Sequence, residues 1–494
     1  MYHISDLKKF NRCPRIYLLD QQVELPPFRR FVRLDDEVTA LAAQYLGAAD
    51  CFVGERNDPP EKAMKALNEQ EWLMKARFEY GGLRIKVPFL HRMPDRSYEL
   101  YFLFIGLYPH MDDMQFYCDT VWVLEQLGIR LSRIRMIHLN ADYVRGETLD
   151  LSQLFVLSDT FYSYKKNNPS VLIEDAIRAN MKDVSAQIAK MNDAMRQPME
   201  PAVRTSRCTM RQKCRHYNIC FKEEADLPDN SILTLTGSSN DAYRMKSQGI
   251  EYLRDADCTG IDLSAMQYAQ IKADRRGGLF CDRCALRGWF SDIRYPVTFL
   301  DFEWDCYAIP PYQGMKPYDR VLFEYSLHIL QEDGTVEHKV FLSVHDERYR
   351  LAKQLLEDIP AAGTIVAYNA DGAEMIRIEE LANLFPDLQE KLLGLNRRMK
   401  DLQLPFVNGF VYDVRMRGSW TLKQIMSMMD EPGYHDLDIQ QGMDAVMEWR
   451  HLDRDEPLAN REQLIEELKA YCGMDSYAAM VVFNWLKDLA AEED

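Results

Sequence analysis

The sequence predicts a mixed α/β protein, and three stretches of its C-terminal part carry that expectation. Thr298-Phe299-Leu300-Asp301-Phe302-Glu303-Trp304 reads as a buried strand, entered from Tyr295-Pro296 and rich in β-branched and aromatic residues. Gly363-Thr364-Ile365-Val366-Ala367-Tyr368-Asn369 is a second short apolar strand, and a turn with Asn369, Asp371 and Gly372 leads from it into a helix predicted over 374–384. Arg461 to Leu489 repeats apolar residues at helical spacing, through Leu464, Leu468, Tyr471, Ala478, Val482 and Trp485.

Asp301 and Glu303 interrupt the first strand. Side chains two apart on a strand point to one face, so the two acids project together. Like charges on a hydrophobic strand are costly unless a cation neutralises them, and a divalent metal with hard oxygen ligands is the simplest such cation. Tyr471 and Asp475 lie four apart and share one face of the last helix.

Acid-x-acid on a first strand, Asn369 followed by Glu374 at a helix start, and Tyr-x-x-x-Asp on a last helix form an ordered signature. It resembles the DEDD class of 3′–5′ exonucleases on a ribonuclease H-like fold, in the subclass with tyrosine. The resemblance implies that Asp301, Glu303, Glu374 and Asp475 ligate two Mg²⁺ or Mn²⁺ ions and that Tyr471 positions the attacking water. Two-metal phosphodiester hydrolysis needs carboxylates clustered around ions roughly 3.5–4 Å apart. The chain departs from the class at Glu374, where most members have Asp, at Ala373, where an aromatic residue usually stands, and at Trp304.

Between these motifs, Leu322 to Leu330 reads as a strand, and Asp333-Gly334 marks a hairpin turn into Val336 to Val344. That is the antiparallel three-strand start of a ribonuclease H-like sheet, with helices expected to cover it over residues 294–494. Lys400-Asp401-Leu402 and Gly418-Ser419-Trp420-Thr421-Leu422-Lys423 resemble further landmarks of the class. Ser419 and Lys423 either approach substrate phosphate, as Asn369 would, or form a solvated helix N-terminus. His435 is expected to have no catalytic part.

The N-terminal part, residues 1–225, opens with a short helix ending near Cys13-Pro14, for which Ser5 is the expected N-cap. This opening resembles the start of RecB-like nucleases, including the CRISPR-associated exonucleases, on a PD-(D/E)XK-like fold. The resemblance implies a 4Fe-4S cluster on Cys13, Cys208, Cys214 and Cys220. The five-residue gaps among the last three differ from the tighter spacing of that group, and zinc is the alternative occupant. They match an uncharacterised bacterial family that fuses such a region to a DEDD-like domain.

A RecB-like core needs an acid on one strand and Glu-x-Lys on the next. Here the first strand has Pro88 near the place of the acid, and the second, Tyr98 to Gly106, offers Glu99 without a lysine two positions on. The nuclease motif is degenerate. Arg130, Arg133 and Arg135 read as a strand with its solvated flank, or as a basic track for nucleic acid.

A boundary is expected at Glu223 to Asn230, followed by a helical segment over 226–293. Ser231 to Asp255 reads as two short helices joined at Gln248-Gly249-Ile250, either a helix–hairpin–helix element holding phosphate or a small packing hairpin. Cys281-Asp282-Arg283-Cys284 is a lone Cys-x-x-Cys without thioredoxin-like context.

Composition sets limits on these readings. At 494 residues the chain has room for two or three domains, and 47% hydrophobic residues suffice for packed cores. A formal charge of −17 argues against a general nucleic-acid-coating surface, not against a nuclease that holds phosphate through metals and local basic groups. The opening residues lack a signal peptide's apolar region and no apolar run approaches a membrane span, so a cytoplasmic protein is expected, with nucleic acid as its partner. Eleven cysteines then read as thiols and ligands rather than disulfides. The function expected is metal-dependent 3′–5′ exonucleolysis of DNA or RNA. The alternative is a nucleic-acid-binding scaffold of a defence or repair assembly, with both cores inactive.

The cysteine assignment has a direct readout. Anaerobically purified protein should be brown, with broad thiolate-to-iron absorption near ~400 nm; colourless protein with stoichiometric zinc would identify a zinc site instead.

Overall fold

Alternating and continuous apolar runs translate into four sheets and many helices in the computed structural model, which describes residues 1–23, 35–209, 213–222, 227–237, 239–260, 262–454 and 457–492. Of the expected boundary, Glu223 to Asn230, residues 223–226 lie outside the described residues. The chain divides into two units, Met1–Ala202 with Cys306–Asp319, and Val203–Asp305 with Arg320–Asp494. The helical segment expected over 226–293 thus belongs to the second unit, and a short piece at the end of the acid-bearing strand belongs to the first. Among the described residues no helix is long and apolar enough to cross a membrane.

The first unit is built on seven strands: β1 (Tyr2–His3), β2 (Phe52–Val53), β3 (Trp72–Tyr80), β4 (Leu83–Arg92), β5 (Tyr98–Phe104), β6 (Leu131–Leu139) and β7 (Phe155–Ser158). Their order is β2-β3-β4-β5-β6-β7, with β1 pairing in parallel with β4. β5 is almost wholly apolar because both faces of the sheet are covered. Leu100 and Phe102 pack toward the helices Ile4–Arg12, Met114–Gln126 and Ile173–Asn180, while Tyr101 and Leu103 pack toward Asp35–Tyr45. A two-stranded ribbon, β8 (Thr160–Tyr162) and β9 (Pro169–Leu172), completes the unit's strands.

Pro88 has a visible effect on β4. The register passes from Met74 opposite Phe89 to Ala76 opposite Val87, skipping Lys75 and Pro88. Pro88 has no N–H for the ladder, and Lys75 turns to φ +54°. Glu99 pairs between His91 and Arg133 and accepts a hydrogen bond from the Tyr101 hydroxyl. The arginines near it are engaged with acids: Arg133 and Arg135 with Asp159 at 2.9 and 3.0 Å, and Arg130 with Asp95 at 2.6 Å.

In the second unit the strands are β10 (Leu279–Cys281), β11 (Val297–Cys306), β12 (Arg320–Leu330), β13 (Val336–Leu342), β14 (Thr364–Ala367), β15 (Met399–Asp401) and β16 (Val411–Asp413). Five form a sheet in the order β13-β12-β11-β14-β15, while β10 and β16 make a small antiparallel pair. β12 and β13 are antiparallel, closed by a turn in which Asp333 accepts from Thr335 N–H at 2.9 Å; β14 runs parallel to both β11 and β15.

Alternation along β11 sorts its side chains. Leu300 and Phe302 pack against the helices Arg348–Asp358, Glu374–Leu384 and Gln389–Asn396, whereas Val297 and Phe299 face the long helix Arg461–Ala491 through Phe483 and Val482. Asp301 and Glu303 lie in register with this second set. The same rule puts Asp305 on that face, where Arg450 clamps it with two hydrogen bonds of 2.6 and 2.7 Å.

The segment after Ser231 departs from expectation. Ser239–Ser247 is helical and Gly249 turns at φ +85°, but the next element is only a single 3₁₀ turn, Leu253–Asp255. A bridge between Ser231 and Tyr252 holds the chain extended there, with Ile232 and Leu253 N–H donating across it. No second helix forms, so the helix–hairpin–helix reading is not met.

The approach of β14 to β11 rests on Gly363. It adopts φ +96°, and a Cβ there would lie 2.1 Å from the Pro296 carbonyl oxygen. Gly363→Ala should therefore lower stability by about 2 kcal/mol or more, read as a reduced urea midpoint.

Candidate active site

Three of the expected ligands converge. Asp301 and Glu303 come from β11 and Asp475 from the Arg461–Ala491 helix, and each offers an oxygen within 4.8 Å of the others'. Among the described residues these are the only three His, Cys, Asp or Glu side chains so grouped. Glu374 opens the Glu374–Leu384 helix, is 4% exposed, and keeps Oε2 without a hydrogen-bond partner. It stands outside the tight trio but close enough to act electrostatically on Asp301 and Glu303.

The turn before Glu374 is fixed by its backbone. Asn369 adopts φ +64°, its N–H donates to Asp401 Oδ1 at 2.9 Å, and its carbonyl accepts from Gly372 and Ala373. A Cβ on Gly372 would lie 2.6 Å from Asn369 Oδ1, so a larger residue there would displace the Asn369 amide. Asn369 thus shapes the entry to the helix.

The C-terminal helix brings a second group of side chains. The Lys423 ammonium donates to the Tyr471 hydroxyl at 3.1 Å and to the Gln440 carbonyl at 2.6 Å, and lies over the rings of Tyr434 and Tyr471. The Tyr434 hydroxyl donates to Asp475 Oδ1 at 2.5 Å. Cys472 Sγ–H points at Asp301 Oδ2, 3.5 Å away. Gly442 leaves room beside the site, where a Cβ would stand 3.5 Å from the Tyr471 hydroxyl and 3.7 Å from Glu303 Oε2.

Burial and mutual repulsion raise every carboxyl here. Desolvation leads for Asp301 and Glu303, with Asp475 the next contributor to each, and both carboxyls rise well above the usual carboxylate range. Glu374 is pushed up to about 8, chiefly by burial. Burial also raises Asp475, though the Tyr434 hydrogen bond and the Lys423 charge oppose it. The phenols of Tyr434 and Tyr471 are driven far upward by burial and by Asp475, so both remain protonated donors.

No salt bridge reaches Asp301, Glu303, Glu374 or Asp475 among the described residues, in contrast to Asp305 with its arginine. Hard oxygens brought together at a half-buried place, with an orphaned Oε2 on buried Glu374, fit divalent cations as their missing counter-charge.

Lys423 is thus brought into the site, through Tyr471. Ser419 is not: its N–H donates to the Met416 carbonyl at 2.9 Å, and its hydroxyl makes no hydrogen bond to these acids. Sequence reasoning passed over Tyr434, Cys472, Gly442 and a further acid, Glu324, which acts on both Glu303 and Cys472. Glu324 had a signal, being the one carboxylate inside the apolar run Val321–Leu330. Tyr434, on a 3₁₀ turn beside His435, had none.

The cysteines are distributed over both units. Cys13 precedes the Pro14–Asp20 helix in the first. In the second, Cys208 ends a 3₁₀ turn and its carbonyl accepts from Cys214 N–H at 2.7 Å, while Cys220 ends the Tyr217–Cys220 helix. Cys281 lies on β10 with its thiol pushed up to about 11 by burial, and Cys284 is exposed.

Residues 298–421 match a family described as a domain of unknown function, DUF2779. No curated protein matches the chain. A solved structure, the family B DNA polymerase from the hyperthermophilic archaeon Pyrobaculum calidifontis, is similar at 13% identity and a TM-score of 0.23, over 40% of this chain and 27% of that one. The similarity spans about a quarter of the polymerase chain.

The buried acids set a pH dependence. Glu374 lies near 8 in the folded protein against 4.5 for an ordinary glutamate, so the folded state keeps a proton the unfolded chain has lost. Stability in EDTA should fall as pH rises across that window, and Mn²⁺ should reverse the fall. Glu374→Gln should flatten the slope; thermal melts with and without chelator measure both.

Proposed function

We propose that this protein is a metal-dependent 3′–5′ exonuclease acting on DNA or RNA, with its active site in a ribonuclease H-like domain. The observation that carries the reading is the convergence of Asp301, Glu303 and Asp475 from a central strand and the last helix, with Glu374 as their electrostatic neighbour. An antiparallel pair, β12–β13, beside parallel strands and covered by helices on both faces, supports the fold assignment. The RecB-like character of the N-terminal part and its four-cysteine cluster rest on the sequence resemblance.

Asp301, Glu303, Glu374 and Asp475 would hold two Mg²⁺ or Mn²⁺ ions. When bound, such ions activate water and stabilise the leaving oxygen of a phosphodiester. Tyr434 and Lys423 hold their partners in place: Tyr434 binds Asp475, and Lys423 binds the Tyr471 hydroxyl. Tyr471, whose hydroxyl also bonds Asp475, is thus an oriented, protonated hydroxyl beside the acids, where a water or a phosphate oxygen would come. The ammonium of Lys423 adds a positive charge beside the acids, where a polyanionic substrate must enter. A catalytically inactive scaffold is the competing reading, favoured by Glu374 standing outside the tight trio.

Degradation of 3′-end-labelled and 5′-end-labelled oligonucleotides with Mn²⁺, against EDTA, separates the two. Asp301→Asn should abolish cleavage of every kind, while Glu99→Gln should leave it nearly unchanged, because no lysine partners Glu99. Tyr471→Phe should lower kcat by roughly a hundredfold with metal and substrate binding retained. Cleavage that survives Asp301→Asn and is lost in Glu99→Gln would move the active site to the N-terminal domain.

A further inference from the structure

Glu324 sits on β12, next to β11 in the sheet, and is 0% exposed. Neither of its carboxylate oxygens has a hydrogen-bond partner. Burying a carboxylate this way is strongly unfavourable. Burial raises the Glu324 carboxyl well above the usual carboxylate range, and a proton would relieve its charge but leave the O–H without an acceptor. Buried acids outside the site have visible partners: Asp305 has the Arg450 guanidinium, and Asp401 has the N–H groups of Asn369 and Gln403. Lys469 acts on Glu324 only from a distance, its ammonium being paired with Glu466 at 2.8 Å and one-third exposed.

Glu324 shares its face of β12 with Ser326 and His328, whose side chains reach Ser476, the residue after Asp475 on the long helix. Glu324 is among the charges that bear on Glu303, and it is the leading charge acting on Cys472, whose Sγ also touches Asp301 Oδ2. Cys472 itself is a neutral thiol here and offers no positive charge. We propose that Glu324 is a fifth acid of the cation site, supplying charge to a divalent ion beside Cys472; this rests on the metal-site reading above. Charge balance agrees with it. Five carboxylates, two divalent ions and the Lys423 ammonium are together neutral, whereas four carboxylates would leave the loaded site with an excess positive charge.

The test is Mn²⁺ binding to the full-length chain, measured by the free-Mn²⁺ electron paramagnetic resonance signal, without substrate. Wild type is compared with Glu324→Gln, which keeps the shape and removes the charge. Glu324→Met, neutral and of similar length, serves if the glutamine variant fails to fold by circular dichroism. The expected result is Mn²⁺ affinity weakened about tenfold or more for at least one ion, with metal-free melting temperature unchanged or raised. An Mn²⁺ isotherm equal to that of wild type overturns the fifth-acid assignment while leaving the four-acid site standing. A wild-type chain that binds no Mn²⁺ overturns both.

Discussion

Carboxyls crowded between a central strand and the last helix, with no cation bonded to them among the described residues, are the constraint on which this site depends. Asp301, Glu303, Glu374 and Asp475 crowd one another at a half-buried place, where water screens them less than at the surface. Such a cluster persists only where its supports are over-determined. β11 is hydrogen-bonded within the sheet on both sides, and Phe299 packs edge-on to Phe483 of the helix that carries Asp475. Hydrophobic burial on both faces holds the acids together against their repulsion.

The fold treats its buried carboxylates in two distinguishable ways. Asp305 and Asp401 are structural: one receives a bidentate guanidinium, the other two backbone N–H groups. Two acids of the site receive neutral donors instead, Asp475 the Tyr434 hydroxyl and Asp301 the Cys472 thiol. Neutral donors orient a carboxylate without cancelling its charge, which leaves that charge for a cation. Lys423 is the informative exception, because its hydrogen bonds go to a phenol and a carbonyl rather than to an acid.

Local sequence was a good guide wherever one element carried the information. The strand through Asp301, the Asp333-Gly334 hairpin and the long C-terminal helix all follow from period and turn chemistry. Pro88 marked a fault in its strand, and the ladder does skip it. Local reasoning failed where a distant segment decided the outcome. The second helix expected after Gly249 is replaced by a 3₁₀ turn because Ser231 pairs with Tyr252, twenty-one positions on. Ser419 looked equivalent to Lys423, yet only the longer side chain reaches Tyr471.

What the sequence by itself determined was the face on which Asp301 and Glu303 lie and the helical turn that joins Tyr471 to Asp475, because both arise from the repeat of a single element. Only the tertiary structure decided that these two pairs meet, that Glu374 stands slightly apart, and that Tyr434, Cys472 and Glu324 surround them. Periodicity fixes direction along one strand or helix. Distances between elements are set by packing among side chains far apart in the chain, and that packing leaves no mark in any local stretch.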